Sequence, residues 1–446
     1  MRPIDTALHF AITLYIACRS IYRLYFHPPR KIPGPKLAAI THAYEFDYDV
    51  IKGGLLIWRE CITPRTIHIT DPDYYEEIYA SRARKREKDL LIVARFDLEG
   101  FGFSSITDDD HRPRRAPSNQ FFSKQTIVDI EYLIHESLDK LVHHLRTAYN
   151  THLVVHLDAT LQCSADGINA LFQMTHLTLS SPFMQTLINA LPLDLLRKVS
   201  APAYALARQK KDLYECGAAA LKASLSSSKS GHTTFTEAIA EPKMPEHLRT
   251  PERLMNEGFA LTIGGTQTTA QSLAVALYHL IDRPETMKGL REELKQSGVV
   301  NETLRLSTGV ATFSPRIAPT EALQYKGHII PPGTPVAQTH YFILMNPNIF
   351  PDPHAFETER WIRAAQAGNC LVRYLINFSK GSRMCVGLNL AFAALYLIIA
   401  TLACQFEIKL YETPRSTIEL ARDFGTPYPI EGHMKVQVMV TGLIDG

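Results

Sequence analysis

The sequence predicts a mainly α-helical fold with small peripheral β-sheets. Three observations carry this: long segments whose apolar residues recur at three and four, a few short β-like runs between turn residues, and 446 residues without an internal repeat or a long linker. At the N-terminus, residues 7–18 (ALHFAITLYIAC) are almost wholly apolar, and the pattern resumes through Ile21, Tyr22, Leu24, Tyr25 and Phe26. That length is about one bilayer span, so residues 1–26 read as a membrane anchor. Arg30 and Lys31 beyond it place the body, residues 27–446, on the cytosolic side. A small-x-small cleavage pattern is missing, and PGP at 33–35 reads as a stiff hinge. Within the body, TIHIT at 66–70 and residues 327–330 and 435–440 read as strands of two small sheets. Helices are expected at 127–146, 270–281 and 388–405, and SLSSSKS at 224–230 as a surface loop.

Composition excludes several classes of function. With 46% hydrophobic residues, 21% charged and a formal charge of +2, the chain can build a sizeable core but has neither a nucleic-acid-binding excess of cations nor an acidic tail. Seven cysteines without a CxxC pair argue against a disulfide framework and against structural zinc, and for a reducing compartment.

One cysteine stands apart. FSKGSRMCVG, residues 378–387, sets Cys385 directly before the apolar helix expected at 388, where free N–H groups and the helix dipole favour the thiolate that a metal ligand needs. Gly381 and Gly387 would let a flat ligand approach the backbone, Phe378 offers an aromatic face, and Arg383 would pair with a carboxylate on that ligand. GFALTIGGTQTTAQSLAVAL, from Gly258, interrupts a helical pattern with Gly264 and Gly265, at a cost of about 1 kcal/mol each relative to alanine. Threonines there can bond back to a carbonyl four residues earlier and open the helix locally. NETLRL, from Asn301, places Glu302 and Arg305 on one helical face; FETERW, from Phe356, supplies Arg360; and DHRPRRAPSNQFFSK, from Asp110, sets His111 and Arg115 four apart.

Residues 378–387 match every fixed position of F-x-x-G-x-R-x-C-x-G, and through them the chain resembles the cytochrome P-450 family of haem-thiolate monooxygenases, most of all the microsomal secondary-metabolism enzymes of filamentous fungi. The likeness runs from IYRLYFHPPRKIPGPKLAAI, at Ile21, to the C-terminal strand region. It implies a cytochrome P-450 fold and haem b ligated through iron by Cys385, whose thiolate promotes O–O cleavage. It further implies Arg115 and Arg383 as propionate partners, with Phe378, Gly381 and Gly387 around the cofactor. Thr268 takes the place of the threonine that supports proton delivery, and Gln267 a place usually acidic, where an amide orients water but does not titrate. Glu302, Arg305 and Arg360 look like the family's interior salt-bridge triad. The chain departs from the pattern at His111 (for tryptophan), Thr358 (for proline), Phe313 (for a propionate-binding cation) and Ala394 (for glutamate), and is shorter than the family at 58–66 and 294–302.

The implied function is insertion of one atom of dioxygen into a lipophilic small molecule, of terpenoid or polyketide-derived skeleton, at the endoplasmic reticulum membrane. No G-x-G-x-x-G motif is present, so electrons are expected from NADPH-cytochrome P-450 reductase. Substrate contacts are expected from residues 95–105, from Phe259, Ala260 and Gly264, and from 310–313. Haem-thiolate isomerisation, dehydration or peroxygenase chemistry, and a degenerate non-catalytic haem protein, would use the same cysteine; dependence on NADPH and reductase separates them.

Overall fold

A computed structural model describes residues 3–26, 36, 40–41, 65–81, 83–90, 93, 100–161, 192–224, 235–240, 245–293, 296–311, 313–423, 425–431 and 434–444. The N-terminal apolar segment is a helix, α1 (Pro3–Tyr25), with Phe10, Tyr15, Ile16 and Ile21 exposed. The apolar repeat expected at 127–146 is split into α3 (Lys124–Asp129) and α4 (Glu131–Thr151), after α2 (Asp108–Phe121). Ser123 starts α3 by accepting from the Thr126 N–H, and the chain leaves helical geometry for one residue at Ile130. Buried Ile127, Leu138, Leu141 and Leu145 keep their common face across the break.

The repeat at 270–281 belongs to a much longer central helix, α5 (Pro251–Asp282), which Thr250 caps and Pro251 opens. Every residue from Ala270 to Leu280 is buried in it, which is why the sequence shows an apolar run and no stripe. After α6 (Pro284–Glu293), only residues 294–295 precede α7 (Gln296–Ser307), so the second shortened region is a near-direct helix junction. The first, 58–66, lies outside the described residues except at Arg65 and Thr66, as does the loop 224–230 except at Ser224. α8 (Glu359–Gln366) follows, then α9 (Leu388–Gln405), whose bounds are those expected. Leu273, Ala276 and Leu280 of α5 pack with Val299, Val300 and Leu304 of α7 and Leu395, Ile399 and Ala403 of α9. Among the described residues α9, not α1, is the helix long and apolar enough to cross a membrane, yet these contacts make it a core helix.

Four small sheets surround the helices among the described residues, where two were expected. The largest has the order β1 (Ile67–His68), β7 (Pro335–Ala337), β4 (Arg316–Ile317), β2 (Glu87–Lys88), with β1 parallel to β7 and the other pairs antiparallel. β3 (Val155–His156), β11 (Gln437–Leu443) and β8 (Phe406–Leu410) form a second; β5 (Leu323–Tyr325) with β6 (His328–Ile330), and β9 (Arg422–Asp423) with β10 (Pro427–Tyr428), are ribbons. Strands of two residues have no room for the alternation that reveals a strand in sequence.

Beneath the cysteine loop the expected triad is formed. Glu302 and Arg305 are 0% exposed; Arg305 Nη2 lies 2.6 Å from Glu302 Oε1, and Arg360 Nε lies 3.1 Å from the same oxygen. Trp361 Nε1 (2.9 Å) and the Glu357 N–H (3.0 Å) also donate to this carboxylate. Glu302→Ala leaves two guanidinium groups buried without their anion, a loss of about 3–5 kcal/mol. The variant is expected to lack a cooperative melt and to purify without cofactor; wild-type thermal stability would refute the role.

Burial also holds three imidazoles neutral: His68 and His340 titrate near about 4 and His279 near about 3, below the ordinary 6.5. Below pH 6.5 the unfolded chain therefore binds protons that the folded chain refuses. Their contribution is fully present above that pH and falls as pH drops towards 4, by up to about 1.4 kcal/mol per pH unit for each ring. A melting temperature that is lower at about pH 5 than at pH 7 is expected, and one unchanged over that interval would contradict neutral burial.

Candidate active site

The cysteine loop closes on itself: the Cys385 N–H donates to the Phe378 carbonyl at 2.8 Å, and the Phe378 ring packs against Phe392 of α9 with centroids 5.6 Å apart. Gly387 is the N-cap of α9, and a Cβ there would meet nothing within 4 Å. Gly381 is different. Its φ is +73°, and a Cβ would sit 2.0 Å from the Ala80 carbonyl and 2.5 Å from that of Tyr79. Backbone packing by itself therefore requires glycine at 381.

Cys385 is exposed, yet burial pushes its thiol above the usual range, with the Gly387 N–H and the Arg115 charge acting in the opposite direction. In the polypeptide alone desolvation outweighs the helix terminus, correcting the expectation of a spontaneously lowered thiol. A coordinated metal cation would deprotonate it outright.

The central helix offers a second open surface. Gly264 and Gly265 are exposed between buried turns of α5, with nothing within 4 Å of a Cβ at either. Thr268 Oγ1 donates to the Gly264 carbonyl at 2.6 Å, as expected, and Thr262 likewise to Gly258, but α5 remains helical throughout and does not open. Gln267 is buried and donates from Nε2 to the Tyr428 hydroxyl at 3.2 Å; the structure gives it a partner on β10 and no bond to Thr268. Among the expected substrate contacts, Phe259 is buried with Phe101 and Leu196, Ala260 packs beside them, and Val310 is exposed. Residues 95–99 and 312 lie outside the described residues.

Positive charge gathers on one side of this region. His111, 3% exposed, is held down to about 2, first by burial and then by Arg383, Arg115, Lys88 and Arg316. Lys88 and Arg316 stand directly opposite each other in the β2–β4 ladder, where like charges repel, and no carboxylate pairs with either among the described residues. Lys88 donates to the Phe103 carbonyl at 2.6 Å and Arg316 to the Ser314 carbonyl at 3.0 Å. Arg383 spends its terminal nitrogens on the carbonyls of Ser105, Ile106 and Thr107, while its buried Nε has no partner among the described residues; burial lowers it to about 10. Arg115 donates to the Met384 carbonyl at 2.5 Å, beside the cysteine. The Asp108 and Glu87 carboxylates act on Arg383, whereas Lys88 and Arg316 are buried side by side with no carboxylate partner among the described residues. Lys88 and Arg316 were not foreseen from sequence; the one available signal is that Arg316 lies three positions past Phe313, where a cation was missing.

The family model of cytochrome P450, here written P-450, matches residues 57–297 and again 297–429. The chain belongs to the cytochrome P-450 family. It is 37% identical to cytochrome P-450 monooxygenase pbrB of Penicillium brasilianum over 503 aligned positions, covering 97% of this chain and 96% of that one. It is 34% identical to the monooxygenase astB of Aspergillus terreus (98% and 97% covered) and 36% identical to conidiogenone synthase of Penicillium rubens (97% and 98%). Its fold is similar to that of retinoic-acid-bound cyanobacterial CYP120A1, with a TM-score of 0.64 at 17% identity over 86% of this chain and 91% of that one. The P-450 is therefore a haem-thiolate monooxygenase, and its residues fit haem b: an exposed free thiol at Cys385, glycines with open space at 264, 265 and 387, and cationic side chains at Arg115 and Arg383 that would take the two propionates.

This P-450 makes opposite demands on its two loop glycines. Gly381→Ala forces a Cβ into two carbonyls at positive φ and is expected to cost several kcal/mol and most of the soluble protein. Gly387→Ala has room and a φ of −81°, so the cofactor-free chain should melt as wild type does. Equal losses in a thermal melt would show that the two do not differ in this way.

Proposed function

We propose that this P-450 oxidises a lipophilic secondary metabolite of terpenoid or polyketide-derived skeleton, using electrons from NADPH-cytochrome P-450 reductase. The carrying observation is Cys385, a free and exposed cysteine two residues before the N-cap of α9, in the loop that matches the family's cysteine signature. Haem bound there supplies dioxygen activation through its thiolate-ligated iron. In this reading Cys385 would ligate the iron; Arg383, Arg115, Arg316 and Lys88 would hold the propionates by charge-assisted hydrogen bonds; Phe378 would offer an aromatic face; and Gly387 would leave room for the cofactor. Thr268 holds a hydroxyl where a proton is needed, its own proton engaged by the Gly264 carbonyl until a stronger acceptor arrives. Phe101, Leu196 and Phe259 exclude water and favour apolar substrates.

Residues 1–26 are proposed to anchor the enzyme in the endoplasmic reticulum membrane, with residues 27–446 as the catalytic domain on the cytosolic side. The helical fold of α1 and its exposed Phe10, Tyr15 and Ile16 support this, and Arg19 and Arg23 can reach towards headgroups.

The test is the carbon monoxide difference spectrum of the reduced protein. Wild type is expected to show the strongly red-shifted Soret band of a thiolate ligand, and Cys385→Ser to lose it together with NADPH-dependent oxidation. A serine variant that keeps both would end this reading.

A further inference from the structure

Two side chains of α5 are unexplained by the roles above, Gln267 and Gln271. They stand one turn apart on one face, 8% and 5% exposed, and reach for consecutive residues of the same strand. Gln267 Nε2 lies 3.2 Å from the Tyr428 hydroxyl, and Gln271 Nε2 donates to the Pro427 carbonyl at 2.7 Å. Only nitrogen can donate to that carbonyl, which fixes the orientation of the Gln271 amide. The ribbon they grip has just two residue pairs, Pro427 with Asp423 and Tyr428 with Arg422, too few to hold a ribbon by themselves. At its turn, the Gly425 carbonyl accepts from the Ala311 N–H at 3.2 Å, and Ala311 lies in the segment expected to face substrate. The ribbon is thus strung between the central helix and that segment.

We propose that Gln267 is a positioning residue for substrate: together with Gln271 it clamps the β9–β10 ribbon to the central helix, so that a place usually acidic in the family holds a pocket wall here instead of moving a proton. This rests on the monooxygenase reading above. An amide has no proton to give near neutral pH, and helical geometry turns Gln267 about 100° from Thr268. Burial raises the Tyr428 phenol, so its hydroxyl stays neutral and the bond does not titrate. Both glutamine Oε1 atoms are buried without a partner among the described residues.

Amide hydrogen exchange on the haem-loaded, full-length enzyme reads the ribbon without any substrate. Gln267→Leu and Tyr428→Phe are each expected to speed exchange at Ala421, whose N–H donates to the Tyr428 carbonyl, by about 2- to 12-fold, the range of one neutral hydrogen bond. The double variant should go no further than either single one, because both delete the same bond. Phenylimidazole, a bulky azole followed by its Soret shift, should bind more weakly by a similar factor, while imidazole, too small to reach the wall, binds as before. Gln271→Leu, which removes the second grip, serves if Gln267→Leu does not fold. Unchanged exchange, additive effects in the double variant, or equal losses for both azoles would overturn the clamp, as would faster coupled turnover in Gln267→Glu. A wild-type protein without the thiolate band would sink the monooxygenase reading instead, and the exchange result would still decide the clamp.

Discussion

A single carboxylate holds the cysteine side of the molecule together. Glu302, without solvent contact, receives both donor edges of Arg305, the Arg360 Nε, the Trp361 indole N–H and the Glu357 backbone N–H. Taking such charges out of water costs several kcal/mol per ion, and the cost is offset only when every donor and acceptor is matched. The arginines meet that condition by spreading outward: Arg305 to the carbonyls of Leu344, Pro353 and Ala355, Arg360 to that of Pro351. One turn of α7 therefore fixes an irregular segment with no regular hydrogen-bond ladder of its own. Leu304, inside that turn, accepts from Asn377 Nδ2 at 2.5 Å, immediately before the loop that carries Cys385. The sulfur is placed from below.

On the other side of the loop the electrostatics are reversed. Around Glu302 the charges close within the protein, whereas beside His111 the ladder sets Lys88 opposite Arg316, with no carboxylate pairing with either among the described residues. Folding Lys88 opposite Arg316 is unfavourable for the polypeptide by itself, so the arrangement makes physical sense as one half of a complex. A group with two carboxylates, such as the haem b of this family, would offset that repulsion. Binding then stabilises the fold as well as equipping it, since the cations are relieved only in the loaded state.

How much of this was legible in the sequence depends on how local each signal is. The triad was readable because Glu302 and Arg305 sit three apart on a helix, and α9 because its apolar run has a clean start at Gly387 and a clean end. The family itself was readable from ten contiguous residues. What escaped was set by partners far away in the chain. The packing of Gly381 against Ala80 and Tyr79, and the hydrogen bond from Gln267 to Tyr428, 161 positions on, could not be read from their neighbours in sequence. The Cys385 thiol was judged from its helix terminus, a local effect, and burial, a global one, prevailed. Lys88 and Arg316 meet across a ladder two residues long, which no periodicity announces.

The shortened connection before α7 bears on whether this framework can still work. The two family-model matches meet at residue 297, and the alignment to the Penicillium brasilianum relative has more positions than the chain has residues, so the chain carries gaps there or elsewhere. Yet the first turn of α7 is firmly seated: a Cβ on Gly298 would lie 2.9 Å from the Thr358 carbonyl, and Val299 and Val300 are fully buried against α5 and α9. Shortening a loop lowers the entropy of closing it and leaves the packed residues on either side unchanged. A chain drifting out of use would lose its buried ions early, because any one removed alone leaves its partners unpaired at large cost. Here all five donors to Glu302 are in place. The buried ion cluster around Glu302 is thus intact although the connection before α7 is short.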